Sequence, residues 1–244
     1  GTRKDGEQEM SRSEFYNTIR PMFGGAMSQK QVDGTEALLA ATDGLPITYR
    51  AYLMATAKHE TASTMMPISE YGRGKGKPYG KHGKHGQAQY GRGYVQLTWD
   101  ANYEKADKAL GLNGALLKDF NLAMQPTIAA QILVRGCCEG WFTGKKLSDY
   151  LPDYVQARRV VNGLDKAALI AGYARSFEAA FVAASDHKLD APPLSPKPVD
   201  ASKAPQVVIN PTEPRHPTPS LFGSVLALLI DWIKNLLKGN RNVG

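Results

Sequence analysis

The distribution of proline sets the strongest limit on what this chain can fold into. Residues 187–220 hold nine of the fifteen prolines in the 244-residue chain. Each proline lacks a backbone N–H and restricts φ to about −65°, so neither a helix nor a strand can continue through prolines at this spacing. We therefore predict a semi-rigid, extended Pro-rich linker at 187–220, between a larger domain and a short C-terminal element.

The residues before the linker, 11–186, have the pattern of an α-rich globular domain. The stretch 48–61 has neither glycine nor proline and places apolar residues at helical spacing, while Pro67 prevents a helix from extending far beyond it. Similar periodicity predicts helices at 101–110, 127–138, 153–161 and 165–184. Strand signals are sparse, and the best of them is 94–97. The predicted fold class is mainly α, with at most a small strand element.

Residues 221–238 (LFGSVLALLIDWIKNLLK) form the third part of the chain. On a helix their polar side chains share one narrow stripe and apolar side chains cover the rest, so the helix needs a bilayer or a protein surface to pack against. With Asp231 inside, about 18 residues are short for spanning roughly 30 Å of hydrocarbon. We predict an amphipathic helix that binds a membrane surface or a partner chain, with packing onto its own domain as the alternative.

Composition excludes several function classes. A hydrophobic content of 42% with 22% charged residues is typical of a globular protein rather than a wholly disordered one. Cys137 and Cys138 are the only cysteines, and two neighbouring thiols provide neither a disulfide framework nor a four-ligand zinc site. Residues 1–9 are polar with no apolar stretch after them, so we expect no signal peptide.

The chain is basic, with a net charge of +7, and much of the excess lies in one loop. Between Tyr71 and Arg92 there are six basic residues and no acidic one, and residues 72–93 include eight glycines. A basic chain usually meets nucleic acid, anionic lipid or an anionic polymer such as bacterial cell wall. Glycine lets a backbone approach a ligand closely, so the eight glycines favour a binding loop. The alternative is a solvated surface loop. We predict no nucleic-acid partner.

Two glutamates have the environments of an acid and a base. Glu60 lies near the C-terminal end of the predicted 48–61 helix, where the helix dipole and burial are expected to raise its pKa. Glu70 lies beyond Pro67, directly before the basic loop, where nearby Lys and Arg are expected to keep it ionised. One carboxyl that donates a proton and one that activates water are what glycoside hydrolysis needs.

Two motifs then resemble a known family. TAKHET (56–61) and YGRGYVQLTWDANY (90–103) resemble the signatures of glycoside hydrolase family 19, the plant-type chitinases and related phage endolysins. The resemblance covers roughly residues 30–185 and implies a lysozyme-like, α-rich catalytic domain. It also implies an inverting enzyme that needs no metal or other cofactor. The version around Glu70 (PISEYGRGKGKPYG) is similar to the endolysin-type members.

The resemblance also implies roles for individual residues. Glu60, in HET, matches the general acid and Glu70 matches the general base of the shorter members. Thr98 matches the hydroxyl residue that helps to hold the attacking water. The remaining matches are substrate-binding side chains: Gln96, Asn102 and Asn162.

The function that we expect from these features is that of an endolysin. Such a peptidoglycan hydrolase cleaves the β-1,4 bond between N-acetylmuramic acid and N-acetylglucosamine, and the basic loop suits its anionic polymer. One alternative is a chitinase acting on β-1,4-linked N-acetylglucosamine. A second is a membrane-active or virion assembly component with a wall-binding domain. We expect action at the bacterial cell wall, from the host cytoplasm before lysis or from a phage particle.

Overall fold

The structure is a computed structural model that describes residues 10–185. Within this range lie eight α-helices and one two-stranded sheet. The helices are α1 (Arg12–Ile19), α2 (Gln29–Ala41), α3 (Ile47–Glu60), α4 (Asp100–Leu110), α5 (Ala115–Lys118), α6 (Pro126–Glu139), α7 (Tyr154–Ala157) and α8 (Ala167–Ala184). The strands are β1 (Ile68–Ser69) and β2 (Arg92–Gly93), paired antiparallel with Ile68 opposite Gly93. The predicted α-rich fold class is confirmed.

Short 3-10 helices occupy several of the connections between these elements. They are Arg20–Phe23, Tyr71–Gly74, Pro78–Gly80, Phe120–Met124, Leu147–Asp149 and Arg158–Val160. The segment Tyr71–Gly74 contains two residues with left-handed backbone angles, Gly72 and Arg73, so it is a tight turn rather than a regular helical piece.

Local sequence signals explain where several helices begin and end. Ser28 and Gln31 form a reciprocal capping box at the start of α2. The helix α3 follows Pro46, and α6 begins at Pro126, where the missing N–H has no intrahelical partner to lose. Gly140, with φ 77°, ends α6 in the left-handed conformation that glycine adopts without steric cost. These ends agree closely with the helices expected at 48–61 and 127–138.

Two of the sequence-based elements differ from the structure. The strand expected at 94–97 is wrong: β2 ends at Gly93, and Arg92 and Leu97 exchange backbone hydrogen bonds across a tight turn in which Gln96 has φ 55°. The helix expected at 153–161 is shorter, because α7 ends at Ala157 and the chain tightens into the 3-10 helix Arg158–Val160. Two β-branched valines followed by Asn162 and Gly163 disfavour a longer α-helix there.

The helix α8 lies at the centre of the main hydrophobic core. It packs against α1, α3 and α7, and the ring of Phe181 lies 4.9 Å from that of Phe15. By length and composition α8 is apolar enough to cross a membrane, a property shared by core helices of globular domains. Its residues Ile170, Ala174 and Phe177 are fully buried in the domain, so we assign α8 to the core.

A second, smaller core supports the segment that carries the family motif. Tyr103 on α4 stacks on Phe120, with the ring centres 3.8 Å apart and the planes nearly parallel. Arg92 lies beside these rings and donates a hydrogen bond to the Tyr103 hydroxyl. This cluster fixes β2 and the start of α4 relative to each other.

The predicted linker at 187–220 and the predicted amphipathic helix at 221–238 lie outside the described residues. Both therefore stay predictions.

Candidate active site

Glu60 is the last residue of α3, as the sequence suggested, and it is paired with an arginine. The guanidinium of Arg158 donates from Nη1 to Glu60 Oε1 at 2.6 Å. The Arg158 side chain is only 2% exposed, whereas that of Glu60 is 21% exposed. Arg158 is held from behind, because its Nε donates to the backbone carbonyl of Asp165. A buried, fixed cation therefore orients the carboxylate of Glu60.

The Arg158 guanidinium adds an influence on Glu60 that the sequence argument did not include. The helix terminus repels negative charge on this carboxylate, while the guanidinium attracts it. His59 lies beside the pair, and burial lowers its pKa, with the charge of Glu60 acting in the opposite direction. Two neighbouring positions at the end of α3 thus carry an ion-paired carboxylate and an imidazole whose charged form is disfavoured.

Glu70 is buried and is held by uncharged donors. The Tyr79 hydroxyl donates to its Oε1 at 3.0 Å, and the backbone N–H of Gly91 donates to its Oε2 at 3.2 Å. Burial, and then the hydrogen bond with Glu70, raise the pKa of Tyr79, so the phenol stays a donor. We expected nearby Lys and Arg to stabilise the ionised Glu70. The structure instead uses a phenol and a peptide N–H, while Arg73, Lys75, Lys77 and Lys81 of the adjoining loop are exposed to solvent.

Gln96, Thr98 and Asn102 form a connected series next to Glu70. Gln96 donates from Nε2 to the carbonyls of Ile68 and Gly93, which links it to both strands. The Thr98 hydroxyl donates to the Gln96 carbonyl at 2.7 Å, and Asn102 Nδ2 donates to the Thr98 carbonyl at 2.7 Å. These bonds order the motif segment, and they leave the oxygen lone pairs of Thr98 and Asn102 available to a ligand.

Trp99 and Trp141, two aromatic side chains of a size that could stack on a sugar ring, have different environments. Trp99 is 43% exposed, has φ 73°, and lies edge-on to Tyr79 with the ring centres 5.6 Å apart. A bulky residue at positive φ is strained, and such strain clusters at functional sites. Trp141 packs against the second core and donates to Glu139. Trp99 is therefore the candidate stacking platform.

Asn162 lies on the Glu60 side of the site. Its backbone N–H donates to the carbonyl of Arg158 at 3.0 Å, and its Oδ1 accepts from the N–H of Gly163 at 2.8 Å. The contacts thus gather the expected site residues into two sets. Glu60 and Asn162 are joined through Arg158, and Glu70 belongs with the motif series. The catalytic and binding roles stay predictions.

Sequence reasoning missed Arg158, the most buried side chain of the site. The available signal was weak: a charged residue inside the apolar-periodic stretch 153–161, four positions before Asn162. An arginine on an apolar face indicates a buried partner of opposite charge, but it does not say which one. Its partner Glu60 is 98 residues away in sequence.

Within residues 10–185, no group of three His, Cys, Asp or Glu side chains is placed to hold a metal ion. Cys137 lies in the main hydrophobic core and is fully buried, and burial raises the pKa of its thiol well above the ordinary value. The thiol is therefore protonated at neutral pH and packs as a small apolar group.

Comparison with known proteins shows what this chain is similar to in sequence and in fold. The sequence is 31% identical to an endochitinase of Arabidopsis thaliana in an alignment of 163 residues that covers 61% of this chain and 54% of that protein. Chitinase C from Streptomyces griseus HUT6037 shares the fold, with a TM-score of 0.51 at 20% identity over 74% of this chain and 79% of that one. The predicted resemblance to glycoside hydrolase family 19 is confirmed.

Other comparisons complete this description. A bacterial family 19 chitinase has a TM-score of 0.46 at 19% identity, over 70% of this chain and 94% of that one. The chain spans about half the length of the curated relatives that it matches. No family model matches the chain.

Proposed function

We propose that residues 10–185 form a glycoside hydrolase that cleaves β-1,4 bonds next to N-acetylated sugars with inversion. Glu60 protonates the leaving glycosidic oxygen, and Glu70 deprotonates the attacking water, which Thr98 helps to hold. Inverting enzymes keep the two carboxyls roughly 6.5–9.5 Å apart to admit that water. Gln96, Asn102 and Asn162 bind the sugar chain in this proposal.

The contrast between the two carboxylates carries the proposal. Glu60 is partly exposed at a helix end and is oriented by a buried arginine. Glu70 is buried, and both of its oxygens accept hydrogen bonds, which fixes its orientation. A base must hold one geometry relative to a water molecule, and a solvent-accessible carboxyl can exchange the proton that it delivers. The similarity to endochitinases supports a glycoside hydrolase.

Peptidoglycan is the substrate that we propose, with chitin as the second candidate. Peptidoglycan is anionic through its stem peptides, and this suits the exposed lysines that follow Glu70. Chitin is neutral and gains nothing from them, but the similar proteins are named endochitinases. We propose action at the bacterial cell wall.

The test is hydrolysis of purified peptidoglycan, with chitin in parallel, followed by mass spectrometry of the products. The variants are Glu60→Gln and the matched control Glu139→Gln. Glu139 also pairs with an arginine at 2.6 Å, on α6 and outside the candidate site. We expect the wild type and Glu139→Gln to release fragments with reducing N-acetylmuramic acid, and Glu60→Gln to lose turnover by several orders of magnitude.

The outcomes separate the alternatives. Release of N-acetylglucosamine oligomers from chitin alone would make the protein a chitinase. Near-normal turnover by folded Glu60→Gln would contradict the assignment of the acid. Inactivity of the folded wild type on both polymers would favour the third possibility, a wall-binding component without catalysis.

We also propose that the helix expected at 221–238 binds a membrane surface. The proposal rests on its apolar residues and on Lys234 and Lys238, which suit anionic headgroups. Co-sedimentation with anionic liposomes should be strong for the full chain and weak for a 1–190 truncation, which retains all of the described domain. Equal binding by both would remove the membrane role, and a partner chain would become the alternative.

A further inference from the structure

The basic residues between Tyr71 and Arg92 separate into two groups when their contacts are considered. Arg92 is 4% exposed and its guanidinium lies 3.6 Å from the ring centre of Tyr90, so it belongs to the fold. Lys84 forms an ion pair with Glu104 at 2.7 Å. These two cations are therefore buried or neutralised.

The other basic side chains of this loop are exposed and uncompensated. Among the described residues none of them makes an ion pair or a side-chain hydrogen bond: Arg73, Lys75, Lys77 and Lys81. The sequence has no acidic residue between Tyr71 and Arg92 that might approach them locally. One short loop thus presents four free positive charges to solvent.

The three lysines of this set line an open pocket of about 320 Å³. Its lining consists of these three lysines together with Gly74, Gly76, Pro78 and Gly80. Two turn hydrogen bonds fold the loop, from Lys77 N–H to the Gly74 carbonyl at 2.8 Å and from Gly80 N–H to the Lys77 carbonyl at 3.1 Å. The lysines are therefore attached to an ordered frame rather than scattered along a flexible strand.

A close contact between the backbones of two glycines fixes the conformation of this loop. A Cβ on Gly80 would lie 2.0 Å from the Gly74 carbonyl oxygen, so only glycine allows the two backbones to meet. Gly74 has φ 69°, which also favours glycine. Gly74 and Gly80 are thus required for the loop conformation that forms the pocket, and the lysines supply its charge.

The loop that carries the pocket also contacts the candidate base. Tyr79 lies within the loop between Lys77 and Lys81, is 8% exposed, and donates its hydroxyl to Glu70. The same ring touches Trp99, the candidate sugar platform. The loop that carries the three lysines therefore contacts both the candidate base and the candidate sugar platform.

We propose that Lys75, Lys77 and Lys81 form an anion-binding subsite that holds carboxylates of the peptidoglycan stem peptides. This inference rests on the proposed glycoside hydrolase function and deepens it by naming the feature that selects an anionic glycan over a neutral one. Each ammonium offers three donors on a flexible stem, which suits carboxylates whose spacing varies along a polymer. Phosphate groups of wall polymers offer similar chemistry, and the test distinguishes them.

The test measures co-sedimentation of the full chain with insoluble wall sacculi at low ionic strength. The Glu60→Gln background prevents digestion during the assay. Untreated sacculi are compared with sacculi stripped of phosphate polymers by hydrofluoric acid. In half of the stripped sacculi the peptide carboxyls are converted to neutral methylamides. The charge variant is Lys75→Gln/Lys77→Gln/Lys81→Gln, and its charge-preserving counterpart has arginine at the same positions.

A matched control removes three exposed lysines from other elements, as Lys108→Gln/Lys118→Gln/Lys145→Gln. It has the same net charge as the first variant, so any difference between them reports location rather than total charge. Circular dichroism melts of every variant check folding.

We expect the pocket variant to bind stripped sacculi about tenfold more weakly, since three exposed charge contacts each contribute a few-fold in affinity. Amidated sacculi should reduce binding of the parent protein similarly, added salt should weaken it, and the arginine variant should restore it. Equal binding by the pocket and control variants, or undiminished binding to amidated sacculi, would overturn the proposal. So would loss of binding on removal of phosphate polymers. Hydrolysis is measured separately, so an inactive wild type would refute the catalytic proposal without deciding this one.

Discussion

Replacing Glu60 by glutamine removes one charge from a pair whose members differ greatly in their access to water. The Arg158 side chain is 2% exposed and that of Glu60 is 21% exposed, so the variant leaves the buried member unpaired. Removing one partner of a buried ion pair costs about 3–5 kcal/mol. Glutamine keeps an acceptor oxygen for Arg158 Nη1, so we expect the free energy of unfolding to fall by about 2–3 kcal/mol.

The reverse replacement should behave differently. Arg158→Met removes the buried charge itself and fills much of its volume, while the remaining Glu60 can be solvated. It loses the hydrogen bonds to Glu60 and to the Asp165 carbonyl, which predicts a cost of about 1–3 kcal/mol. In the double variant no buried charge is left without a partner, so its cost should be clearly smaller than the sum of the two single costs.

Urea denaturation of the four proteins at pH 7, followed by circular dichroism, gives the coupling free energy directly. We expect a coupling of at least about 1 kcal/mol between the two positions. Additive costs would refute the reasoning, as would a Glu60→Gln protein as stable as the wild type. The pair Arg135 and Glu139, with side chains 17% and 30% exposed, is the control, and it should show weaker coupling.

Three further outcomes follow from the structure. Burial lowers the pKa of His59, so as the pH falls through about 6.5 the unfolded state binds a proton before the folded state does. The free energy of unfolding should therefore decrease below that pH, by at most about 1.4 kcal/mol per pH unit. Urea titrations at several pH values should show this component lost in His59→Gln; an unchanged pH dependence would contradict it. Trp99→Ala should raise KM for the glycan more than tenfold with little change in the melting temperature, and equal KM values would exclude stacking. Gly34→Ala should lower the free energy of unfolding by about 3 kcal/mol or more, because its Cβ would lie 1.9 Å from the Met65 carbonyl oxygen. Gly172→Ala on α8, where the Cβ meets open space, should be neutral or stabilising in the same thermal melts.

Residues close together in sequence determined several features that could be predicted correctly. The position of α3 follows from a stretch without glycine or proline between Pro46 and Pro67, and Glu60 therefore had to lie at its C-terminal end. Glu70 had to lie off that helix, next to a glycine-rich basic loop. Such features depend on backbone preferences and periodicity, which act over a few residues and are legible in one sequence.

The tertiary structure decided which side chains meet. Arg158 reaches Glu60 across 98 residues of sequence because α3 packs against α8 and so does α7, which leads directly into Arg158. No local pattern encodes that meeting. The sequence alone showed that the loop after Glu70 is positively charged. Only the fold showed that Arg92 is buried on aromatic rings, while Lys75 and Lys77 remain free around a pocket. A local sequence determines what a segment can form, whereas long-range packing determines the neighbours of each charge, and those neighbours decide its chemistry.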